Sequence, residues 1–182
     1  MSLLKLEQAL YRFADWLGIL AASLFVLLLF NVFYDVIMRY AFNDVSIGMQ
    51  ELEWHLYATI FLLGVPYALR HGGHVRVDVI FDRLSLRHKA WIDLIGTVVF
   101  LLPFVGLVAW YGVNFTIESW ELGERSGDPG GLPYRWIIKG MIPTAFTFTA
   151  LTGIGMLLHS INTLRGLHPD KPQEDLFHQD LN

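Results

Sequence analysis

Four long apolar runs, separated by short segments that hold nearly all the charge, set the pattern of the chain. They predict helical spans at about residues 16–37, 51–69, 92–115 and 138–158. At 1.5 Å per residue such runs measure about 28 to 36 Å, enough for a hydrocarbon core of about 30 Å. The uncharged part of the second run, Trp54–Leu69, is the shortest, so its end residues must lie at headgroup level to complete a crossing. Pro66, Pro103 and Pro143 fall inside spans; membrane helices carry such residues as kinks because neighbouring groups re-satisfy the freed backbone. The predicted fold is an all-α integral membrane protein with four transmembrane helices, preceded by a short amphipathic interfacial helix. Residues 1–165 form one membrane domain in this reading, and 166–182 a flexible polar tail rich in acids and proline.

The amphipathic segment is residues 2–15. Leu3, Leu6, Leu10, Phe13 and Leu17 fall near one helical face, with Lys5, Glu7, Gln8, Arg12 and Asp15 largely elsewhere. That is the pattern of a helix lying in the interface. Acids in the first residues and the absence of a small-x-small cleavage pattern after Tyr34 predict a retained first span rather than a secretory signal.

Composition agrees with the pattern. Of 182 residues 54% are hydrophobic and only 16% charged, where a soluble domain carries roughly 25%. The absence of cysteine excludes disulfides, thiolate metal sites and a thiol nucleophile. The one basic cluster is short and borders a hydrophobic span, which does not suit nucleic acid.

Lysine and arginine positions predict the threading. Lys5, Arg12, Arg70, Arg76, Arg83, Arg87, Lys89, Arg165 and Lys171 fall on one side, and Arg39, Arg125, Arg135 and Lys139 on the other. The richer side is expected to be cytoplasmic, with both termini inside. Trp16 and Trp91 then mark the inner interface, and Trp54, Trp120 and Trp136 the outer one.

Chemistry-bearing residues are few. Glu51 and Glu53 point about 200° apart on a helix, so they cannot pair as an acid/base site; they suit the positive start of the helix dipole or contact with a partner. Asn31, Asp35 and Arg39 make a polar stripe expected to face protein, with an i,i+4 ion pair between the last two. Lys89 and Asp93 repeat that spacing. Ala145, Thr149, Thr152, Gly153 and Met156 put small and hydroxyl side chains near one face of the fourth span, as a close helix-packing surface requires. His71, His74 and His159 are predicted near one membrane face, and leave open a haem-binding membrane anchor. Arg76, Arg83, Arg87 and Lys89 would suit anionic lipid headgroups. No Walker loop, dinucleotide fingerprint, HExxH motif or nucleophile elbow occurs, nor a pair of Gly/Pro-broken spans of the kind that builds a transporter's own site. The chain is expected to be a non-enzymatic helper. A self-sufficient small channel or exporter is the other alternative.

One ordered set of short motifs carries a resemblance: Arg39-Tyr40-Ala41-Phe42, Glu51-Leu52-Glu53, Phe61-Leu62-Leu63-Gly64, Tyr67-Ala68-Leu69-Arg70 and His74-Val75-Arg76-Val77-Asp78. It resembles the small membrane subunit of tripartite ATP-independent periplasmic (TRAP) transporters, over nearly the whole chain. The resemblance implies a bacterial inner-membrane protein that scaffolds a large transport subunit and helps dock a periplasmic substrate-binding protein. The import would be of an organic acid, driven by sodium held on the large subunit, with no cofactor on this chain. It further implies partner contacts at Asp35, Arg39, Glu51 and Glu53 on the outer side. Lipid or subunit contacts would lie at Arg70, His74, Arg76, Asp78, Arg83, Arg87 and Lys89 on the inner side.

Overall fold

A computed structural model describes residues 3–73, 81 and 84–167. His74, Arg76, Asp78 and Arg83, and the tail from residue 168 onward, lie outside the described residues. Four long helices account for most of what is described: α1 (Leu3–Ala41), α2 (Ile47–Arg70), α3 (Leu86–Glu121) and α4 (Trp136–Leu164). The described residues contain no strand. Three helices, α1, α3 and α4, are long and apolar enough to cross a membrane. α2 has 24 residues, and its apolar run is diluted by Glu51, Glu53, His55 and Arg70.

The expected interfacial helix is not a separate element. α1 is one helix of 39 residues, and the segment assigned to the interface is its first turns. No proline or glycine lies between Leu3 and Leu17 to break it. The buried residues of α1 are Glu7, Ala14, Leu17, Ala21, Leu28, Asn31 and Asp35. They recur at intervals of three, four or seven along a single seam, the 3.5-residue period of helices packed at a shallow angle. Leu3 and Leu6, expected on the apolar face, are exposed; hydrocarbon gives bulky apolar side chains no reason to turn inward, and small and polar residues occupy the helix contacts instead.

Short links follow from local chemistry. Ser46 caps α2, its Oγ accepting from the Met49 N–H at 3.3 Å. α2 ends where Gly72 takes a φ of +69° and the Gly73 N–H reaches back to the Ala68 carbonyl at 2.8 Å, a helix stop that suits glycine. Within α3 one wider turn, Thr97–Leu101, precedes Pro103. There the Leu102 N–H bonds to the Thr97 carbonyl, five residues back. Proline lacks an N–H and its ring crowds the carbonyl four residues earlier, so the extra residue absorbs the misfit without breaking the helix.

α4 is the centre of the assembly. It packs against α1, α2 and α3, and α1 packs against α2, whereas among the described helices α3 has substantial contact with α4 alone. Ala145, Thr149, Thr152 and Gly153 are buried on α4, with Met156 half-buried beside them, so the small-residue face forms the internal packing surface expected of it. Its hydroxyls are satisfied within the helix: Thr149 donates to the Ala145 carbonyl at 2.8 Å and Thr152 to that of Phe148 at 3.2 Å. Glycines set the close approaches. A Cβ at Gly112 of α3 would lie 3.1 Å from Pro143 Cδ, and one at Gly155 would lie 3.2 Å from the Tyr11 ring. Leu17, Ala21 and Leu63 form the buried apolar centre, with Phe13 edge-on to Phe148 at 5.1 Å.

Candidate functional site

Polar side chains gather at the two ends of the bundle. One end carries the α1–α2 and α3–α4 links; the other carries the start of α1 and the end of α4.

At the loop end, Glu51 in the second turn of α2 closes the α3–α4 loop. Its carboxylate accepts from the Ser126 hydroxyl and, at 2.6 Å, from the Leu132 N–H, with the Arg135 guanidinium 4.0 Å away. Ser126 also donates its backbone N–H to the Leu132 carbonyl at 3.2 Å, and Arg135 N–H bonds to the Glu124 carbonyl at 3.1 Å. A single carboxylate thus bridges both strands of the loop. Glycine makes room for it: a Cβ on Gly131 would press on Ser126 and lie 2.9 Å from Glu51 Oε2. Glu53, two residues on, turns instead toward the Asp35–Arg39 pair, as the helical angle between the two acids requires.

Asp35 and Arg39 form the expected i,i+4 ion pair, with Asp35 only 4% exposed. Asn31, on the same stripe, donates to the Met49 carbonyl at 3.0 Å and ties α1 to the start of α2. The stripe faces protein. At the far side of the loop Lys139 pairs with Glu124 and lies 4.0 Å from the Phe115 ring centroid. Its ammonium holds the Glu124 carboxyl below the usual carboxylate range. Trp120 and Trp136 meet edge-to-face at 4.7 Å beside it. Below Lys139, an apolar groove of about 420 Å³ opens sideways between α2 and α4, lined by Tyr57, Phe61, Leu62, Ile138 and Ile142 among others.

At the opposite end Arg70 pairs with Asp15 and lies over the Tyr11 ring at 5.3 Å, and His71 Nε2 is 3.2 Å from the same carboxylate. Glu7 is buried. Its two oxygens are taken by Asn162 Nδ2 at 2.6 Å and His159 Nδ1 at 2.8 Å. His71 and His159 are therefore engaged by different carboxylates on α1. Lys89 lies over the Phe81 ring at 5.1 Å and Arg87 is exposed.

The structure brings together residues that sequence reasoning kept apart. Glu7, expected away from the apolar face of an interfacial helix, is seven residues from Ala14, fourteen from Ala21 and twenty-eight from Asp35, all buried. That phase was visible in the chain. The partners of Glu51 were not: Ser126 and Leu132 are 75 and 81 positions away.

These geometries tie helices and one loop together; they do not compose an acid/base pair, a nucleophile or a substrate cage. Comparison with known proteins agrees. The sequence profile of the family described as "Tripartite ATP-independent periplasmic transporters, DctQ component" matches residues 28–163. A TRAP transporter small permease protein of Haemophilus influenzae is 27% identical over 136 residues, covering 74% of this chain and 84% of that one. The ectoine TRAP transporter small permease protein TeaB of Halomonas elongata is 27% identical over 130 residues, 68% of this chain and 66% of its own length. The C4-dicarboxylate TRAP transporter small permease protein DctQ of Rhodobacter capsulatus is 31% identical over 102 residues, 54% of this chain and 44% of the relative. A bundle knitted at both ends, lacking a catalytic constellation among its described residues and matched over well more than half its length, belongs to the DctQ family of small permease subunits of TRAP transporters.

Proposed function

We propose that this subunit crosses the bacterial inner membrane four times with both termini in the cytoplasm. In this reading it scaffolds the large subunit of a sodium-driven importer of an organic acid, and its α3–α4 loop helps dock the periplasmic binding protein. The names of relatives, one for ectoine and two for C4-dicarboxylates, support that cargo class. α2 is read as the fourth crossing because it is tied to α1 at both ends, through Asn31 to Met49 and through Asp15 to Arg70. Its 24 residues measure about 36 Å. Among the described residues Lys5, Arg12, Arg70, Arg87, Lys89 and Arg165 fall at the end where α1 starts and α4 finishes, against Arg39, Arg125, Arg135 and Lys139 at the other, which favours the former as cytoplasmic.

The observation that carries the scaffold reading is how the chain spends its polar groups. Asn31, Asp35, Glu7 and Asn162 are buried within the bundle, while α1 and α3 display Phe30, Phe33, Phe104 and Trp110 outward. Such a body is built for helix contact, and its described residues line no polar path. Reconstitution tests it. The large permease, purified with and without this chain, is assayed in proteoliposomes with the binding protein and an imposed sodium gradient. Uptake is expected only when this chain is present. A large subunit that is stable and transports without it would refute the scaffold role, and uptake indifferent to sodium would refute the coupling.

A further inference from the structure

We infer that the outward face of α3 is a heptad-spaced seam for one transmembrane helix of the large permease subunit, keyed by Asn114. This rests on the subunit reading above and adds the face, the register and the keying residue.

Phe104, Leu107, Tyr111, Asn114, Glu118 and Glu121 recur at alternating intervals of three and four, and all six are exposed. This is the 3.5-residue period of a left-handed helix pair. The inward face of the same helix has the same repeat: Val105, Gly112 and Ser119, seven apart, are its buried residues against α4. The exposed stripe lies about 130° round the helix from that seam at 100° per residue. α3 therefore carries a second stripe of matching period that the described part of this chain leaves uncovered.

Lipid alone would complete an apolar face, and the face of α1 is of that kind. There Asn31 and Asp35 turn inward, and Phe25, Leu29, Phe30 and Phe33 turn out. α3 departs from this rule. Asn114 points outward and finds no hydrogen-bond partner among the described residues. It stands six residues inside Trp120, about 9 Å deeper along the helix, so its amide meets hydrocarbon. The exposed hydroxyls of the neighbouring helix avoid this cost: Thr144 and Thr147 each donate to the carbonyl four residues back, at 2.7 Å. A primary amide so placed calls for a donor or acceptor on another membrane helix. One amide in an otherwise apolar heptad seam also fixes register, since any slip strands it without a partner. Glu118 and Glu121 at the end of the stripe add a complement for basic side chains on that helix at headgroup level.

The chain is co-expressed with its large permease, and a photoreactive phenylalanine analogue is placed singly at Leu107, Tyr111 or Asn114. Val113, on another side of α3, and Phe33 on α1 serve as controls. The three stripe positions are expected to crosslink to the large subunit and the controls are not. If the pair co-purifies while the stripe gives no such crosslink, or crosslinks to a second copy of this chain, the seam is wrong and the subunit reading stands. If the unmodified pair does not co-purify at all, the subunit reading falls and the seam with it. Asn114→Leu should lower recovery of the complex from detergent about 3- to 20-fold, and Asn114→Gln should largely restore it. Leucine facing lipid inserts at least as readily as asparagine, so this loss would not report misfolding. Unchanged recovery with Asn114→Leu would remove the amide as the key.

Discussion

Gly112 is the position where a small change should separate one helix from the rest. It sits at the middle of the only substantial contact that α3 makes with another described helix, between Val105 and Ser119 and against Pro143 of α4. A Cβ there would lie 3.1 Å from Pro143 Cδ and 3.3 Å from its Cβ and N, inside the 3.5 to 4.0 Å at which carbon pairs are most favourable. The neighbour is a ring fixed in a helix, which cannot rotate away. Alanine gains about 1 kcal/mol of helix propensity over glycine, against an overpacking cost of about 1–3 kcal/mol. Gly112→Ala should therefore change stability little, with a net loss below about 2 kcal/mol. Leucine adds three further carbons with nowhere to go, and its cost should reach or exceed the top of that range, about 3 kcal/mol. Because α3 has no second substantial contact to hold it, the loss should appear as undocking of α3. The readouts are unfolding by added dodecyl sulfate in mixed micelles, and the near-UV signal of the Trp120–Trp136 pair, which joins α3 to α4. The control is Gly106→Leu on the same helix, where a Cβ meets nothing within 4 Å. If Gly112→Leu resists detergent as the parent does and keeps the tryptophan signal, the close-approach argument is wrong.

Three more outcomes follow from the polar clusters. Glu51→Ala removes the acceptor shared by Ser126 and the Leu132 N–H, so hydrogen exchange across residues 124–135 should quicken and binding-protein docking weaken. Glu51→Gln should retain most of the loop protection; equal protection in all three proteins would show that the bridge is idle. The Glu124 carboxyl is held below its ordinary value by Lys139, so the contact is complete above the usual carboxylate range and is lost as pH falls through the depressed value. Proteolysis at the loop by an acid-active protease should rise only at strongly acid pH, and Lys139→Met should move that onset upward; an unmoved onset counts against the pair. Asn162→Leu deprives the buried Glu7 carboxylate of a donor at 2.6 Å, which should cost about 1–3 kcal/mol of bundle stability. A variant as stable as the parent would show that the remaining partners of Glu7 suffice.

The positions of the long helices were legible because apolar length and charge placement are local properties, although α1 begins at Leu3, thirteen residues before the run expected from 16. Runs expected at about 51–69 and 138–158 are seen within helices at Ile47–Arg70 and Trp136–Leu164, and the link residues Ser46 and Gly72 act through their own backbone. The Asn31–Asp35–Arg39 stripe was legible for the same reason, since partners four residues apart share a face.

The start of α1 was expected to lie in the interface as a separate helix, yet it continues the first span and buries Glu7 with Ala14 and Ala21 while Leu3 and Leu6 stay exposed, because in hydrocarbon burial goes to the small and the polar.

By itself, then, the order of residues determined that this is a helical membrane protein, where its helices run, and the family to which it belongs. Only the tertiary structure decided which charges meet: Glu51 with Ser126, Glu7 with Asn162, Asp15 with Arg70. Those pairs are separated by 55 to 155 positions. Helical periodicity assigns a residue to a face but does not say which helix that face will meet. That choice is made by packing, where α4 has small residues enough to receive three neighbours and α3 is left with a side uncovered.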